Sequence, residues 1–355
     1  MSYQPNKAIH PGITVGRTLA SLGMTQKSLA ERTGVTEKHI SSIINGDSSI
    51  TPETALLFAN ALGGTPSFWS NLQSNYEAVR VRLENEKLAA QEIGLITSHP
   101  YAELKKRGYV QDVRGAAQKV MELWRFYGVN SLNSVQLTEA VAWRRGTTEQ
   151  VRAESLAAWL RCGELEAKEQ AEKIEIQEYD ETKLKALLPK IRTYTKCEKD
   201  FWNNLVQDLA DVGVSLIAVE HFKGTRANGA TRWIGGNPVI QLSAFGRNAD
   251  GVWFSLMHEI GHILIHGRKE KFISFSNGAK SHDEAEADIF AARTLIPDDS
   301  YHQFLTKQDF SEGAIRSFAQ QQDINPGIIV GRLKNDKWLS YGSYQHMHAK
   351  LGMHS

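Results

Sequence analysis

The feature that most constrains this chain is the pentapeptide HEIGH at positions 258–262. On a helix, side chains four residues apart lie on one face, about 5–6 Å from each other, so His258 and His262 can bind one metal ion. Glu259 lies between them, where it can take a proton from a water molecule that the ion activates. The pattern predicts a helix over about 251–266 that holds a divalent metal, with zinc the metal typical of this spacing.

A second predicted helix, at about 282–296, supplies the third ligand that the two histidines need. Glu284 completes a His2Glu site with one open position, and Asp288, one turn on, can accept a hydrogen bond from a ligand histidine. Glu284 could instead be a solvated helix charge, and His266 could compete as a ligand. We predict one Zn²⁺ per chain, with Glu259 as the catalytic residue. The predicted metal ligands are His258, His262 and Glu284.

Composition is that of an ordinary globular protein of two or three domains, with 355 residues, 41% hydrophobic and 23% charged. The formal net charge of +1 excludes a global basic field, so any DNA binding must come from a local surface. Cys162 and Cys197 are predicted to be free thiols. The N-terminus has no apolar signal segment, and no apolar stretch approaches the roughly 20 residues that span a bilayer. We therefore expect a cytoplasmic protein with no membrane partner.

The predicted fold class is α+β and predominantly helical, in three regions. Residues 1–78 form an all-α unit, with helices near 11–22, 25–33, 36–45 and 52–62 and a longer one from 66, because glycines fall at helix ends and threonines at helix starts. Residues 79–195 are charged, helical in pattern and without a chemical motif, which indicates a helical linker or docking region. Residues 196–355 form the metal-binding domain with a small mixed sheet.

Several short segments of this last region are strand candidates. We predict strands within 212–222, 231–234 and 238–243, and treat 328–333 and 338–344 as short strands or turns. Segment 238–242 could be an edge strand that pairs with an extended substrate.

Residues 25–46 show the packing pattern of a helix-turn-helix motif. Ala30 is small enough for two helices to approach closely, and Gly34 permits the tight turn between them. The start of the second helix would enter the major groove of DNA. Residues 1–50 hold five Lys/Arg against three Asp/Glu, a weak phosphate footprint that a dimer would double. An ordinary helical hairpin would show the same spacing. The predicted DNA-contacting residues are Gln26, Lys27, Thr36, Glu37, Lys38, His39 and Ser42.

Residues 10–77 resemble the HigA-type antitoxin branch of the Xre/Cro helix-turn-helix family. The shared features are the HPG opening, the TQKSLA and NG turns, the ITPETA segment and the FWSNLQSNYE ending. The resemblance implies a homodimer that binds a double-stranded DNA operator, with bases read by Gln26, Glu37, Lys38 and Ser42. Glu37 departs from the amides and hydroxyls common there, and could either accept from cytosine N4 or weaken binding through phosphate repulsion.

Residues 200–342 resemble the ImmA/IrrE metallo-endopeptidases, which are gluzincin-like peptidases with a zincin-like fold. The matching motifs are HEIGHILIHG, ExEADxFAARxLIP and INPGIIVGRL, with Asp288 where the family usually has Asn. The resemblance implies zinc, endopeptidase activity and a protein substrate such as a repressor or cognate toxin–antitoxin component. His282 and Tyr341 are candidates for stabilising the oxyanion. The alternative is an antitoxin whose metallopeptidase-like domain binds or senses without turnover.

Overall fold

The computed structural model describes residues 5–135, 152–197, 201–243, 249–269, 272–275 and 281–348. Contacts divide the chain into two compact units. The N-terminal unit comprises residues 1–94 and 113–122, and the C-terminal unit comprises residues 95–112 and 123–355. The predicted division into three domains, with boundaries after residues 78 and 195, stays a prediction.

Five helices make up most of the N-terminal unit: α1 Gly12–Ser21, α2 Gln26–Thr33, α3 Glu37–Asn45, α4 Pro52–Leu62 and α5 Pro66–Gln91. A threonine caps each of the last four, because its hydroxyl accepts a hydrogen bond from the backbone N–H three residues on. Buried side chains from all five helices, among them Val15, Leu29, Ile40, Phe58 and Trp69, form one core. The helices predicted from residue 11 onward are confirmed.

The close approach of α1 to α3 depends on Gly12. A Cβ atom on Gly12 would lie 1.9 Å from the carbonyl oxygen of Ile43, so any side chain would push the two helices apart. The Nδ1 atom of His10 accepts a hydrogen bond from the Gly12 N–H at 3.0 Å. The His10 ring packs edge-on against Tyr76. The HPG opening therefore has a packing role in this unit.

The described residues in the middle of the chain are mostly helical, as predicted. It contains a 3-10 segment, Ile93–Ser98, and the helices α6 Tyr101–Lys106, α7 Ala116–Tyr127, α8 Asn133–Val135, α9 Ala153–Lys173, α10 Glu181–Tyr194 and α11 Phe201–Ala210. Helix α9 packs closely on the sheet of the C-terminal unit, because a Cβ atom on Gly163 would lie 1.9 Å from the side chain of Gln241. The docking role of residues 79–195 stays a prediction. Cys162 is buried, Cys197 is exposed, and both thiols are free, as predicted.

In the described residues the sheet has four strands, β1 Ser215–Ala218, β2 Ala227–Ile234, β3 Asn237–Leu242 and β4 Phe272–Phe275. Their order is β1-β3-β2-β4, with β1 parallel to β3 and the other pairs antiparallel, which is the small mixed sheet that the sequence predicts. The prediction that 238–242 is an edge strand is wrong, because β3 pairs with β1 on one side and β2 on the other. Within the described strands, β1 and β4 lie at the edges.

The remaining elements contain and follow the HEIGH motif. Helix α12, Ala249–Gly261, continues as a π-helical turn, His262–His266, and a 3-10 turn, Gly267–Lys269. It is followed by α13 His282–Leu295, α14 Asp298–Thr306, α15 Glu312–Gln322, α16 Pro326–Asn335 and a 3-10 turn, Gln345–Met347. Trp253, Met257 and Ile260 form the buried stripe of α12 within the core of this unit.

The strand candidate at 328–333 is wrong, because these residues lie in α16. The Asn325 side chain caps that helix by accepting from the Gly327 N–H, and Pro326 occupies its first position, where its missing N–H costs nothing. Ile329, Val330 and Leu333 are fully buried on one face. Residues 338–344 form turns rather than a strand. In the part of the chain that the structure describes, no helix has the length and apolar character needed to cross a bilayer.

Candidate metal centre and helix-turn-helix surface

Helices α12 and α13 bring the predicted ligands together. Gly261 allows the two helices to approach, because a Cβ atom there would lie 3.1 Å from the Phe290 ring and 3.3 Å from the Cα atom of Ala287. The Ser281 hydroxyl caps α13 by accepting a hydrogen bond from the Glu284 N–H at 3.3 Å. Glu284 therefore lies in the first turn of α13, and this turn packs beside α12.

The three predicted ligands present their donor atoms to one point. The Nε2 atoms of His258 and His262 are 3.0 Å apart, and the two carboxylate oxygens of Glu284 lie 3.3 Å and 3.2 Å from them, respectively. Ligands that each lie about 2.0–2.1 Å from a tetrahedral ion are separated by about 3.3 Å. The spacing of these donors therefore fits a zinc ion. Both histidines are buried, and Glu284 is partly exposed.

Charge pairing dominates the electrostatics of this cluster. Burial lowers the pKa of His258, but hydrogen bonds to Asp288 and Glu284 and the charge of Glu259 raise it by more, to about 10. Burial raises the pKa of Glu284, but its hydrogen bonds with His258 and His262 lower it by more, to about 2. Both shifts favour a charged His258 imidazole paired with a charged Glu284 carboxylate.

Neighbouring side chains fix the orientation of both imidazoles. Asp288 Oδ1 lies 2.8 Å from Nδ1 of His258, so this carboxylate accepts a hydrogen bond from the ring N–H and leaves Nε2 directed at the cluster. The ring of His262 stacks on Phe272 of β4 with the centroids 4.1 Å apart. Nδ1 of His262 lies 3.1 Å from Nδ1 of His266. Sequence spacing predicts the place of Asp288 but gives no signal for the contact with Phe272.

Glu259 is fully buried beside the ligands, against the sheet. Its two carboxylate oxygens accept hydrogen bonds from the hydroxyls of Thr231 and Ser274, each at 2.7 Å. A Cβ atom on Gly229 would lie 2.3 Å from Oε1 of Glu259, so only glycine leaves room for the carboxylate. Burial raises the pKa of Glu259, although the two histidines and the two hydroxyls partly oppose this. Sequence reasoning missed Thr231, Ser274 and Gly229, because nothing in the sequence pairs these strands with the helix.

The other candidates of this region lie elsewhere. His282 is 83% exposed and faces Glu286, with Nδ1 3.3 Å from a carboxylate oxygen, instead of facing the three ligands. Tyr341 is 80% exposed. These positions do not favour an oxyanion role, which stays a prediction for both residues. His266 also points away from the three-ligand cluster, with Nε2 3.2 Å from a carboxylate oxygen of Glu286.

The helix-turn-helix candidates lie on α2, the turn and α3. Gly34 ends α2 with a left-handed φ of 72°, and the Thr36 hydroxyl caps α3 by accepting from the His39 N–H. Glu37 and Lys38 are exposed at the start of α3, as a base-reading position requires. The Ser42 hydroxyl is 2.7 Å from that of Ser48 and is therefore already hydrogen-bonded. Lys27 and Thr36 are exposed, and Gln26 and His39 are partly buried.

Comparison with known proteins identifies the two regions. Residues 17–69 match a helix-turn-helix family, and residues 210–319 match the family described as the IrrE N-terminal-like domain, peptidase M78. The second match contains all three candidate ligands and Glu259.

Similar individual proteins match the N-terminal region. Antitoxin HigA-1 of Vibrio cholerae is 46% identical over 55 residues, which cover 16% of this chain and 51% of that protein. Virulence-associated protein I of Dichelobacter nodosus is 34% identical over 71 residues, 20% of this chain and 66% of that protein. The matches thus span about half the length of the first relative and about two thirds of the second.

One solved structure gives a further likeness. An addiction module antidote protein of a HigA family from Coxiella burnetii is 34% identical, with a TM-score of 0.23, over 24% of this chain and 95% of that one. From the family matches, the chain contains an Xre-like helix-turn-helix domain followed by an IrrE-like domain of peptidase family M78.

Proposed function

We propose that this protein is a DNA-binding regulator with a fused zinc-dependent endopeptidase, which cleaves a partner protein such as a repressor or a toxin–antitoxin component. The observation that carries this proposal is the meeting of His258, His262 and Glu284 at tetrahedral spacing, with Glu259 beside them. The match of residues 210–319 to a metallopeptidase family supports it.

One zinc ion per chain suits a donor set of two imidazole nitrogens and one carboxylate. When bound, zinc supplies a Lewis acid for a peptide carbonyl and lowers the pKa of water. The chain's own residues prepare the ligands for it. Asp288 holds the proton of His258 on Nδ1, and Phe272 fixes the plane of the His262 ring.

Glu259 would act as the general base and then pass the proton to the leaving amine. Burial raises its pKa, and a carboxylate whose pKa approaches the working pH is a better general base and acid than an ordinary one. Both of its oxygens accept hydroxyl hydrogen bonds from Thr231 and Ser274, which hold the carboxylate in place, and each oxygen keeps a second lone pair that can take a proton from water.

The helix-turn-helix domain would bind double-stranded DNA, as a homodimer that presents two α3 helices to an operator. The exposed start of α3, with Glu37 and Lys38, supports this use. The similarity to a protein named antitoxin supports an antitoxin-like role as a repressor. In this proposal DNA binding places the regulator at its operator, and cleavage acts on a protein.

Glu259→Gln tests the proposed hydrolysis. Purified zinc-loaded protein is incubated with the products of neighbouring genes, and cleavage is followed by mass spectrometry. The wild type should cut one of them, and the variant should bind zinc equally well without cutting, because the amide cannot accept the proton. A cleavage product that forms equally fast with Glu259→Gln would contradict the assignment.

The alternative function is an antitoxin whose IrrE-like domain binds or senses without turnover. The buried Glu259 argues against it, because a carboxylate that takes no part in chemistry has no reason to occupy a costly buried position beside two imidazoles. Under the alternative, zinc-loaded wild type and Glu259→Gln would bind the same partner and leave it intact.

A further inference from the structure

A second group of metal-ligating side chains lies on the other side of His262. It comprises His266 from the π-helical turn and His282, Asp283 and Glu286 from the first turns of α13. Nε2 of His266 is 3.2 Å from a carboxylate oxygen of Glu286 and 3.9 Å from one of Asp283. Nδ1 of His282 is 3.3 Å and 3.9 Å from the same two oxygens.

We propose that His266, Asp283 and Glu286, with His282 at the solvent side, form a second site for a divalent transition-metal cation. The ligand atoms of the first three residues all lie within 4.8 Å of one another. Two carboxylates and one or two imidazoles are a donor set suited to Zn²⁺, and the carboxylates supply the negative charge that a cation needs. The three ligands of the first centre take no part in this group.

The second site is connected to the first through a hydrogen bond between two imidazoles. A histidine that binds a cation through Nε2 keeps its proton on Nδ1, so a metal-bound His262 donates from Nδ1 to Nδ1 of His266, 3.1 Å away. His266 then carries its own proton on Nε2 and donates it to Glu286. This chain of hydrogen bonds orients His262 when only the first centre is filled.

A cation in the second site breaks this chain. It takes Nε2 of His266, so the remaining ring proton moves to Nδ1 and faces the N–H of His262. Two N–H groups cannot hydrogen-bond, and His266 must turn away from His262. Loss of such a supporting hydrogen bond weakens metal binding about 10- to 100-fold. Because coupling is reciprocal, the second cation binds more weakly by the same factor while the first is present.

Zinc titration of the metal-free full chain, followed by isothermal titration calorimetry, tests the second site. We expect one tightly bound ion and one that binds at least about tenfold more weakly. Glu286→Gln should remove only the weaker ion, because the amide oxygen still accepts from His266 but carries no charge. Asp283→Asn is the second variant and should act in the same direction. Circular dichroism shows that each variant is folded.

Asp299→Asn is the matched control, because Asp299 is an exposed carboxylate beyond the end of α13. It should keep both ions. A wild type that binds a single ion would overturn the proposal, and so would a weak ion that survives both Glu286→Gln and Asp283→Asn. Absence of the tight ion would instead contradict the proposed zinc endopeptidase, so the two failures are distinguishable.

A regulatory consequence rests on the proposed function. Zinc beyond one equivalent should slow peptide cleavage by the wild type, because the second cation disturbs His262. Glu286→Gln should reduce this inhibition by excess zinc. Equal inhibition of the wild type and the variant would overturn the link between the sites, while the calorimetric result would still decide whether the second site exists.

Discussion

Two pairs of helices carry the candidate sites, and they differ in where their functional side chains lie. The α2–α3 pair places Glu37 and Lys38 in solvent at the start of one helix. The α12–α13 pair buries His258, His262 and Glu259 between the helices and the sheet. The candidate DNA-binding surface is made from neighbouring residues of one motif. The candidate metal centre is made from residues on separate elements.

The difference follows from what each site must bind. DNA binds to side chains on an exposed helix, so the fold needs only to cap that helix and pack its inner face correctly. A metal centre needs buried donors at fixed separations, and every unpaired polar group there would be costly. We therefore expect the addition or loss of a single side-chain atom near the candidate metal centre to cause a large loss of activity. Substitutions on the helix-turn-helix surface should reduce DNA affinity by smaller, graded amounts.

Gly229→Ala is the sharpest test of this contrast. The new Cβ atom would meet the Glu259 carboxylate and displace it, and a misplacement of about 1 Å can cost about 100-fold in rate. We expect peptide cleavage to fall by about that factor with zinc content unchanged, as measured by kinetics and metal analysis. Gly251→Ala is the control, since nothing lies within 4 Å of its Cβ position. If Gly229→Ala cleaved peptide as fast as the wild type, cleavage would not depend on the exact position of the Glu259 carboxylate.

Asp288→Asn tests the support of the first ligand. The amide oxygen can still accept the hydrogen bond from Nδ1 of His258 but brings no charge, so zinc affinity should fall by less than the about 10- to 100-fold that loss of the whole partner costs. Competition with a chromophoric chelator measures the change. Asp299→Asn should leave the affinity unchanged, and a similar loss in that control would mean that general surface charge, not the hydrogen bond, sets the affinity.

Removal of the metal should make the stability of the C-terminal unit depend on pH. The pKa of His258 is raised from 6.5 to about 10, so its contribution is complete below pH 6.5 and is lost as the pH rises toward 10. The pKa of Glu284 is lowered from 4.5 to about 2, so its contribution is complete above pH 4.5 and is lost toward pH 2.

The metal-free protein should therefore have its highest melting temperature for this unit between pH 4.5 and 6.5. Differential scanning calorimetry with and without zinc measures it. Zinc should stabilise the unit more at pH 8 than at pH 5, because the ligand imidazoles bind the ion in their neutral form. A metal-free melting temperature that rises from pH 6.5 to pH 9 would contradict this pairing.

Lys38→Ala should weaken DNA binding in a graded way. If Lys38 contacts a phosphate, affinity should fall roughly tenfold for all sequences, and the slope of log affinity against log salt should fall by about one. Fluorescence anisotropy measures the affinity and its salt dependence, once with DNA from upstream of the gene that encodes this protein and once with scrambled DNA. Lys87→Ala, an exposed lysine on α5, is the control. A loss confined to the upstream DNA would instead assign Lys38 to base reading.

Thr36→Ala should have the smallest effect. The variant loses the hydroxyl that caps α3, which costs about 1 kcal/mol of stability. For a domain of this size the melting temperature should fall by about 4–8 °C. Thr36→Asn, which can still cap the helix, should recover most of it. A loss of stability in Thr36→Asn as large as in Thr36→Ala would show that the threonine methyl group, not the cap, stabilises α3.

Local patterns predicted the helices, and they placed the three candidate ligands on two helices that the structure brings together. Caps, glycines and the four-residue separation of His258 and His262 are properties of neighbouring residues, and Ser281 fixes where Glu284 stands on its helix. The strand order is not a local property, so segment 238–242 was wrongly predicted to be an edge. The INPGIIVGRL segment was ambiguous because a short apolar run fits a strand or a buried helix equally well. The surroundings of Glu259 depend on β2 and β4, which no spacing connects to α12.

Strand β4 touches two parts of the centre at once. Phe272 and Ser274 are two residues apart and so project from the same side of the strand, one against the His262 ring and the other onto Glu259. A small displacement of this four-residue strand would loosen the ring of a candidate metal ligand and release the buried carboxylate in the same motion. The positions of the candidate ligand and of the carboxylate would then depend on one short segment, and a molecule that pairs with the side of β4 where no described strand lies would influence both.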